Sequence, residues 1–262
     1  MRFQTALAFL RRQSVMPTEL RSWALQELPV EVRERAFFSA TVTHAEFLQE
    51  ALDAVEAIVY GEADRATMRV QLRTMLDRMS YQPIPEDVGT IKDLRSDRRL
   101  NLILDTNAAQ ARAYGRHKLE QTPEALDAYP AAELVRVGAL PINPRPWLSK
   151  WQAAGGKFYG GRMIARKDDP VWSKSISAGG FNRFGTQYGP FDFNSGMRKK
   201  NIDREEAERL GVLQPGEVVQ PDEQGFNEHL SATADGLSDE LLNAVEQSGI
   251  ARRDETGRWV SA

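Results

Sequence analysis

The sequence predicts an α+β protein: an N-terminal helical hairpin, followed by a mixed α+β domain rich in glycine and aromatic residues. Apolar residues recur at helical spacing in the first third of the chain, which indicates amphipathic helices. Residues 136–204 then hold 10 of the 19 glycines and 10 of the 22 aromatic residues, which is typical of short strands and of loops anchored by rings. With 41% apolar residues in a chain of 262, we expect a buried core.

These patterns divide the chain into three predicted regions. Residues 1–85 form a helical N-terminal region, residues 86–213 the mixed domain, and residues 214–262 an acidic C-terminal tail with a short helix. The first boundary lies in "YQPIPEDVG", where two prolines and a glycine interrupt the helical pattern.

The predicted hairpin consists of two amphipathic helices. Thr43 and Glu46 have the spacing of a capping box at the start of the first helix, and Gly61 lies where a C-terminal cap belongs. Residues 64–79 repeat the apolar stripe and form the second helix.

The mixed domain opens with a third helix from Asp97 to about Glu120, which places Asn107 on its apolar face. A buried asparagine without hydrogen bonds costs about 1–3 kcal/mol, so we predict that Asn107 bonds a backbone segment packed against the helix. The stretch "AELVRVGAL" follows as a strand. Asp203 with Glu206 predicts a second capping box, and Ser238 caps the helix of the tail.

The sequence offers little chemistry for catalysis. It has no cysteine, which excludes disulfides, thiolate zinc sites and cysteine nucleophiles. His44, His117 and His229 lack metal-binding spacing, and the pair Asp168–Asp169 precedes a proline, so we interpret all five as structural. Phosphate-binding and nucleophile-elbow motifs are absent. We therefore predict a protein that is not an enzyme and holds no cofactor or metal, and, without an apolar stretch of membrane-spanning length, a soluble, unexported one.

One alternative remains open. Arg136, Ser175 with Ser177, and Glu206 with Glu208 follow the chain order of the arginine, Ser-x-Ser and Glu-x-Glu elements of ADP-ribosyltransferases. The two glutamates lie in a predicted helix, where residues two apart do not share a face. A host-directed enzyme or toxin module of the ADP-ribosyltransferase type is therefore kept as the weaker alternative.

The net charge of −3 conceals a strong segregation of basic and acidic residues along the chain. Residues 136–204 carry a net charge of +9 and residues 205–262 carry −9. Either the basic segment meets a polyanion or an acidic partner, or the two segments neutralise each other. Lysine and arginine interleaved with aromatic residues can hold nucleic-acid phosphates, with salt-sensitive contact that is indifferent to sequence. The predicted contact residues are Arg162, Arg166, Lys167, Arg198, Lys199 and Lys200.

Five stretches carry a family resemblance: "LRSDRRLNLILDTNAAQARAYGRHKLEQTPEALDAYPAAELVRV", "NPRPWLSKWQAAGG", "ARKDDPVWSK", "YGPFDFNSGM" and "DREEAERLGV". In this order, over residues 91–213, they resemble the C-terminal domain of the phage head morphogenesis family named after protein F of phage Mu. The matching positions are Asp105, Thr106, Asn107, Tyr114, Arg116, Arg145, Asp169, Pro170, Trp172, Pro190, Phe193 and Asn194.

The resemblance gives "GPFDFNSGM", residues 189–197, the place of the family's closing loop, a packing element. Many members have cysteines after the asparagine of this loop, where this chain has Ser195 and Gly196. The aspartate and histidine that often follow the family's arginine-proline element are also missing here.

The resemblance implies a minor capsid protein, docked at the portal inside the phage head and acting in head assembly and in retention or ejection of packaged DNA. The implied partners are the portal protein, packaged double-stranded DNA and, as a further candidate, the major capsid protein, with no membrane. The implied location is the virion, and the host cytoplasm during assembly. A transient assembly factor absent from the mature virion is a second alternative.

Overall fold

The computed structural model describes residues 2–138, 144–222 and 230–262. It confirms the predicted α+β class and the helical N-terminal region. The described residues form two compact units: residues 3–112 with 230–262, and residues 113–222. These units do not follow the predicted boundaries at 85 and 213.

The described helices, in chain order, are α1 (Arg2–Arg11), α2 (Val30–Arg35), α3 (Ala45–Tyr60), α4 (Arg65–Arg78), α5 (Asp97–Leu119), α6 (Pro123–Ala128), α7 (Trp147–Ala153), α8 (Arg204–Arg209) and α9 (Asp239–Gln247). The described strands are β1 (Ser14–Val15), β2 (Ala36–Phe37), β3 (Ala131–Arg136), β4 (Phe158–Tyr159), β5 (Arg162–Arg166), β6 (Met197–Ile202), β7 (Ser231–Thr233), β8 (Ala251–Arg253) and β9 (Arg258–Ser261). Within these described ranges, no helix is both long and apolar enough to cross a membrane.

Helices α3 and α4 form the predicted hairpin of the first unit. Gly61 ends α3 in the left-handed region, with φ 94°, a conformation that glycine adopts without a steric penalty. Asp64 caps α4 by accepting a hydrogen bond from the Thr67 backbone N–H at 2.9 Å. The predicted capping box of Thr43 and Glu46 is wrong, because α3 begins one residue later with His44 at the cap position and no side-chain cap bond.

The C-terminal residues belong to the core of the first unit. Strands β7, β9 and β8 form a three-stranded antiparallel sheet, and Ser238 caps α9 as predicted. The fully buried Trp259, with Leu241 and Val245, shares one apolar cluster with Met16 and Leu28. Residues 230–262 are therefore a folded part of this unit and do not form a separate tail.

The second unit is built on a four-stranded sheet of order β4-β5-β3-β6, whose described pairs are antiparallel. Because side chains alternate along a strand, the central strand β3 contributes to two cores. Ala132 and Leu134 join a cluster with Trp151, Trp172 and several phenylalanines, while Ala131 joins a second cluster that includes residues of α6 and α8.

Two further predictions for these elements can be compared with the structure. The predicted strand "AELVRVGAL" is confirmed up to Arg136, and its residues 139 and 140 lie outside the described residues. The prediction for Asn107 is wrong: its side chain is half-buried and its Nδ2 donates to the Ile103 carbonyl of its own helix at 2.8 Å. The bond that a buried amide requires is thus made within α5, one turn earlier.

Candidate functional site

Six of the thirteen cations of the basic segment pair with carboxylates of described residues in the second unit. Arg162 bridges Glu133 at 2.6 Å and Glu206 at 2.5 Å, and these hydrogen bonds raise the pKa of its guanidinium. Arg166 pairs with Asp168 at 2.7 Å and with Glu217. Because Glu206 and Glu217 come from the acidic segment, internal neutralisation accounts for part of the charge segregation.

The same pairing extends to other arginines of this unit. Arg204 lies 2.8 Å from Asp127 and 3.4 Å from Glu208. Arg183 and Arg145 both approach the carboxylate of Asp192, at 2.5 and 3.4 Å. These arginines tie segments of the unit together.

Two lysines predicted to contact DNA face the interior of the unit. Lys167 is 5% exposed, and its Nζ lies 3.5 Å from Glu120 Oε2. The Nζ of Lys199 lies 4.1 Å from the centroid of the Trp172 ring, a cation–π distance. Burial lowers the pKa of Lys199 to about 7, although Glu120 favours its charged form.

Three exposed cations of the second unit that have no ion pair with any described residue lie around one cavity: Arg116, Arg198 and Lys200. Lys157 is also exposed and without such a pair, but it does not line this cavity. Arg116 lies in the last turn of α5. Arg198 and Lys200 are two residues apart in β6, so they project from the same face of the sheet. All three line a cavity of about 410 Å³, which we call the β6 cavity; its other lining residues are Glu120, Val135, Val137, Lys199 and Asn201.

The carboxylate in the lining of the β6 cavity is already engaged. Glu120 Oε1 accepts a hydrogen bond from Asn201 Nδ2 at 3.1 Å, and Oε2 faces Lys167. Val135 and Val137 add apolar wall. The β6 cavity therefore offers a net positive lining next to low-polarity surface, which is an arrangement suited to an anion.

DNA contact by the six predicted residues stays a prediction, and the geometry separates them into two groups. Arg162 and Arg166 are committed to carboxylates, and Lys167 and Lys199 point into the interior. Only Arg198 and Lys200 of the six are exposed and without an ion pair among the described residues. Sequence reasoning did not include Arg116 in this set, because it appeared only as a family-motif position.

The loop "GPFDFNSGM" is a packed element, as the sequence predicts. The side chain of Asp192, 2% exposed, accepts hydrogen bonds from Arg183 Nε at 2.5 Å and from the Phe193 N–H at 2.8 Å. Arg145 donates to the Phe193 carbonyl at 2.8 Å. Pro190 follows a cis peptide bond and Asn194 has φ 48°. The side chains of this loop are thus engaged in holding its backbone.

The acidic-Pro-hydrophobic-Trp element is built in the same way. Asp169 caps the short turn Pro170–Trp172 by accepting from the Val171 N–H at 2.8 Å. The fully buried Trp172 donates from Nε1 to the Arg166 carbonyl at 2.7 Å. The Trp172 and Phe191 ring centroids are 6.0 Å apart, which joins this element to the closing loop.

Sequence reasoning missed Asn182, which is fully buried among these elements. Its Nδ2 donates to the carbonyls of Trp172 and Thr186 at 2.7 and 2.6 Å, and its Oδ1 accepts from the N–H groups of Phe184 and Gly185 at 2.9 and 3.0 Å. The available signal was an asparagine between two phenylalanines in "GGFNRFG".

The remaining motif positions have ordinary structural partners. In the first unit, Asp105 pairs with Arg65 at 2.6 Å and Thr106 is half-buried. In the second, the buried Tyr114 packs edge to face on Tyr188, with centroids 5.7 Å apart.

The residues of the ADP-ribosyltransferase alternative are engaged with different partners. Arg136 donates to the Ser195 carbonyl at 3.2 Å, and Ser175 and Ser177 bond each other at 3.0 Å. Glu206 and Glu208 lie in α8 and pair with different arginines. These side chains therefore do not converge on a common site in the structure.

The histidines have separate surroundings. His44 occupies the cap position of α3, and His229 lies outside the described residues. His117 is buried, not solvated as its place near a helix end suggests; its Nε2 lies 3.2 Å from Asp222, and burial lowers the pKa of its imidazole. Among the described residues, no group of three or more His, Asp or Glu side chains could hold a metal ion.

Comparison with family models, curated proteins and solved structures found no match to this chain. The family resemblance therefore stays a prediction from the motifs quoted above.

Proposed function

We propose that this chain is a phage minor capsid protein of the head morphogenesis type. It docks at the portal and acts in head assembly and in retention or ejection of packaged DNA. Its partners are the portal protein and packaged double-stranded DNA, with the major capsid protein as a further candidate. It acts inside the head near the portal, after assembly in the host cytoplasm.

The observation that carries the proposal is the meeting of three motif elements that are distant in sequence. Arg145 of the arginine-proline element bonds the carbonyl of Phe193 in the closing loop. Trp172 of the acidic-Pro-hydrophobic-Trp element packs against Phe191 of the same loop. Chance matches to short motifs have no reason to pack on one another, so this contact supports a single inherited domain.

The use of the motif side chains also fits a structural role. Asp169 and Asp192 hold backbone N–H groups, and Arg145 holds a backbone carbonyl. Groups committed to such bonds rigidify loops, and rigid loops suit a protein that must keep its place in a particle.

The test is quantitative mass spectrometry of gradient-purified particles of the phage that encodes this chain, with its abundance expressed relative to the portal subunit. We expect a few copies per portal ring. Absence from infectious particles, despite expression in infected cells, would contradict the proposal and favour a transient assembly factor or a host-directed effector. An empty-head fraction from the same gradient serves as the control for copies bound before DNA packaging.

A further inference from the structure

We propose that the β6 cavity is a phosphate site: Arg116, Arg198 and Lys200 hold a backbone phosphate of double-stranded DNA at its mouth. The choice of DNA as the source of the phosphate rests on the proposed function. The phosphate chemistry itself rests on the cavity.

The first argument is the difference between cations that have a carboxylate partner and cations that have none. Arg145, Arg162, Arg166, Arg183 and Arg204 have carboxylate partners within 3.5 Å. The three cations of the site have none among the described residues, although acidic side chains are abundant in the unit. Arginine and lysine left exposed and unpaired around one cavity are the usual footprint of a polyanion.

The second argument is the positions of the three side chains. Arg198 and Lys200 project from one face of β6 because they are two residues apart, and Arg116 comes from α5, a different element. Two guanidinium groups can each present a fork of donors to phosphate oxygens, and the ammonium adds a point charge. All three side chains line one cavity, so a phosphate at its mouth is exposed to cations from two elements.

The third argument is the character of the lining. The Glu120 carboxylate is offset by Lys167 and Asn201, so it does not repel an incoming anion as a free carboxylate would. The volume of about 410 Å³ lies near the lower end of the roughly 300–1,000 Å³ of ligand pockets. It has room for a phosphate and its sugar, while the duplex itself lies across the opening.

The test measures binding of the full chain to a fluorescent DNA duplex as a function of KCl concentration. Each phosphate contact contributes about 0.9 to the slope of log Kobs against log salt concentration. Because the three cations hold one phosphate, the triple variant Arg116→Gln, Arg198→Gln, Lys200→Gln should lower the magnitude of the slope by about 1 and weaken binding at low salt about tenfold.

The matched control removes three exposed cations elsewhere: Lys157→Gln, Arg209→Gln and Arg252→Gln. The two variants have the same net charge, so an equal loss in both would show an effect of overall charge and overturn the site. An unchanged slope in the cavity variant would also overturn it. A second variant, Arg116→Lys with Arg198→Lys, keeps the charge and should keep the slope. A slope that falls in the triple variant and not in this one reflects the lost contacts and not a loss of folding.

Two further probes distinguish other sources of negative charge. Inorganic phosphate that binds in a manner dependent on the three cations, without DNA binding by the wild type, would assign the cavity to a small phosphate ligand and overturn the DNA assignment. Poly-glutamate binding with the same dependence, again without DNA binding, would assign it to an acidic protein partner and overturn the proposal.

These outcomes are separable from those of the proposed function. A protein present in particles whose triple variant binds DNA normally would overturn the phosphate site alone. A protein absent from particles whose DNA binding depends on the cavity would overturn the head role alone.

Discussion

At the scale of single residues, the Asn182 side chain supplies hydrogen bonds to a loop that has no regular secondary structure. Residues 173–196 contain no helix or strand of their own, so their backbone polar groups must find other partners when buried. The Asn182 side chain provides two donors and two acceptor contacts to four backbone groups. The side-chain amide of Asn182 thereby satisfies backbone groups of the kind that inter-strand hydrogen bonds satisfy in a sheet.

We predict that Asn182→Ala lowers the free energy of unfolding by about 3 kcal/mol or more. Each buried group left without a partner costs about 1–3 kcal/mol, and the variant leaves four such groups. The measurement is urea unfolding followed by tryptophan fluorescence.

The matched control for this prediction is Asn107→Ala. Asn107 is half-buried and bonds its own helix, and alanine is the better helix former, so this change should be within about 1 kcal/mol of neutral. Similar losses in the two variants would contradict the role assigned to Asn182.

These two asparagines show how far sequence reasoning reached at this scale. Helical periodicity identified the face on which Asn107 lies, but it gives no information on what the side chain bonds. Asn182 went unnoticed because an asparagine in a glycine-rich loop has the same local pattern whether it is a buried hub or an exposed turn residue. By contrast, the pattern of residues 189–197, in which two phenylalanines flank Asp192 and three consecutive turn-forming residues follow, was enough to predict a packed loop.

At the scale of elements, strand β6 places side chains both towards the interior of the unit and on its surface. Lys199 directs its ammonium to the ring of the buried Trp172, while its neighbours Arg198 and Lys200 are exposed. Sequence reasoning treated the run of three cations as one surface patch. The period-two alternation of a strand divides it, and that division could have been predicted once the segment was read as a strand.

We predict that desolvation of the ammonium of the half-buried Lys199 makes stability depend on pH in the alkaline range. The pKa of Lys199 is about 7 in the folded chain, below its ordinary value of 10.5, so between these values the unfolded chain binds more protons. Stability therefore rises as pH increases from about 7 to 10.5, and this contribution is constant below pH 7. The rise is on the order of 4 kcal/mol at most.

The measurement is the urea midpoint between pH 7 and 10 for the wild type, Lys199→Met and Lys200→Met. The Lys199 variant should lose most of the rise and be more stable than the wild type at pH 7, because no charge is buried. The exposed neighbour Lys200 supplies the control, which should keep the rise. An undiminished rise in Lys199→Met would mean that other groups, such as the buried Lys167, carry it.

Two of the three predicted N-terminal helix caps are confirmed. Asp203 and Ser238 each accept the expected backbone bond, because capping depends on a few neighbouring residues. Glu206 departs from the predicted box, since its carboxylate binds Arg162 instead of returning to the cap. Long-range ion pairs of this kind are not visible in local spacing.

At the scale of the whole molecule, the first unit is assembled from both ends of the described chain. Its core joins Met16, Leu25 and Val32 to Trp259 and α9. The sequence predicted α3 and α4 in residues 1–85 but treated 214–262 as a tail. Strands β7, β8 and β9 have only three or four residues each, too few to give a clear periodic signal, and net charge describes composition without showing which residues pack together.

We predict that Trp259→Ala destabilises the first unit, including segments more than 200 residues away in sequence. Trp259 is fully buried, and large-to-small substitutions of this kind cost about 3–5 kcal/mol. Hydrogen exchange should show lost protection in residues 14–37, with β3 and β5 unaffected.

The control is Trp23→Ala, which removes the same side chain from a site that is 65% exposed and should leave exchange unchanged. Protection of residues 14–37 that survives Trp259→Ala would contradict the shared core.

The shared core also sets an order of events during synthesis. Residues 113–222 are contiguous, so the second unit can fold while the ribosome is still translating. The shared cluster of the first unit is completed only when residues 230–262 have emerged, and Met16, Leu25 and Val32 lack their final cover until then. Contacts of such long sequence separation form slowly. A prematurely terminated chain would thus expose apolar surface in its first unit and be sensitive to proteases. Proteolysis would then remove it before it competed with complete chains.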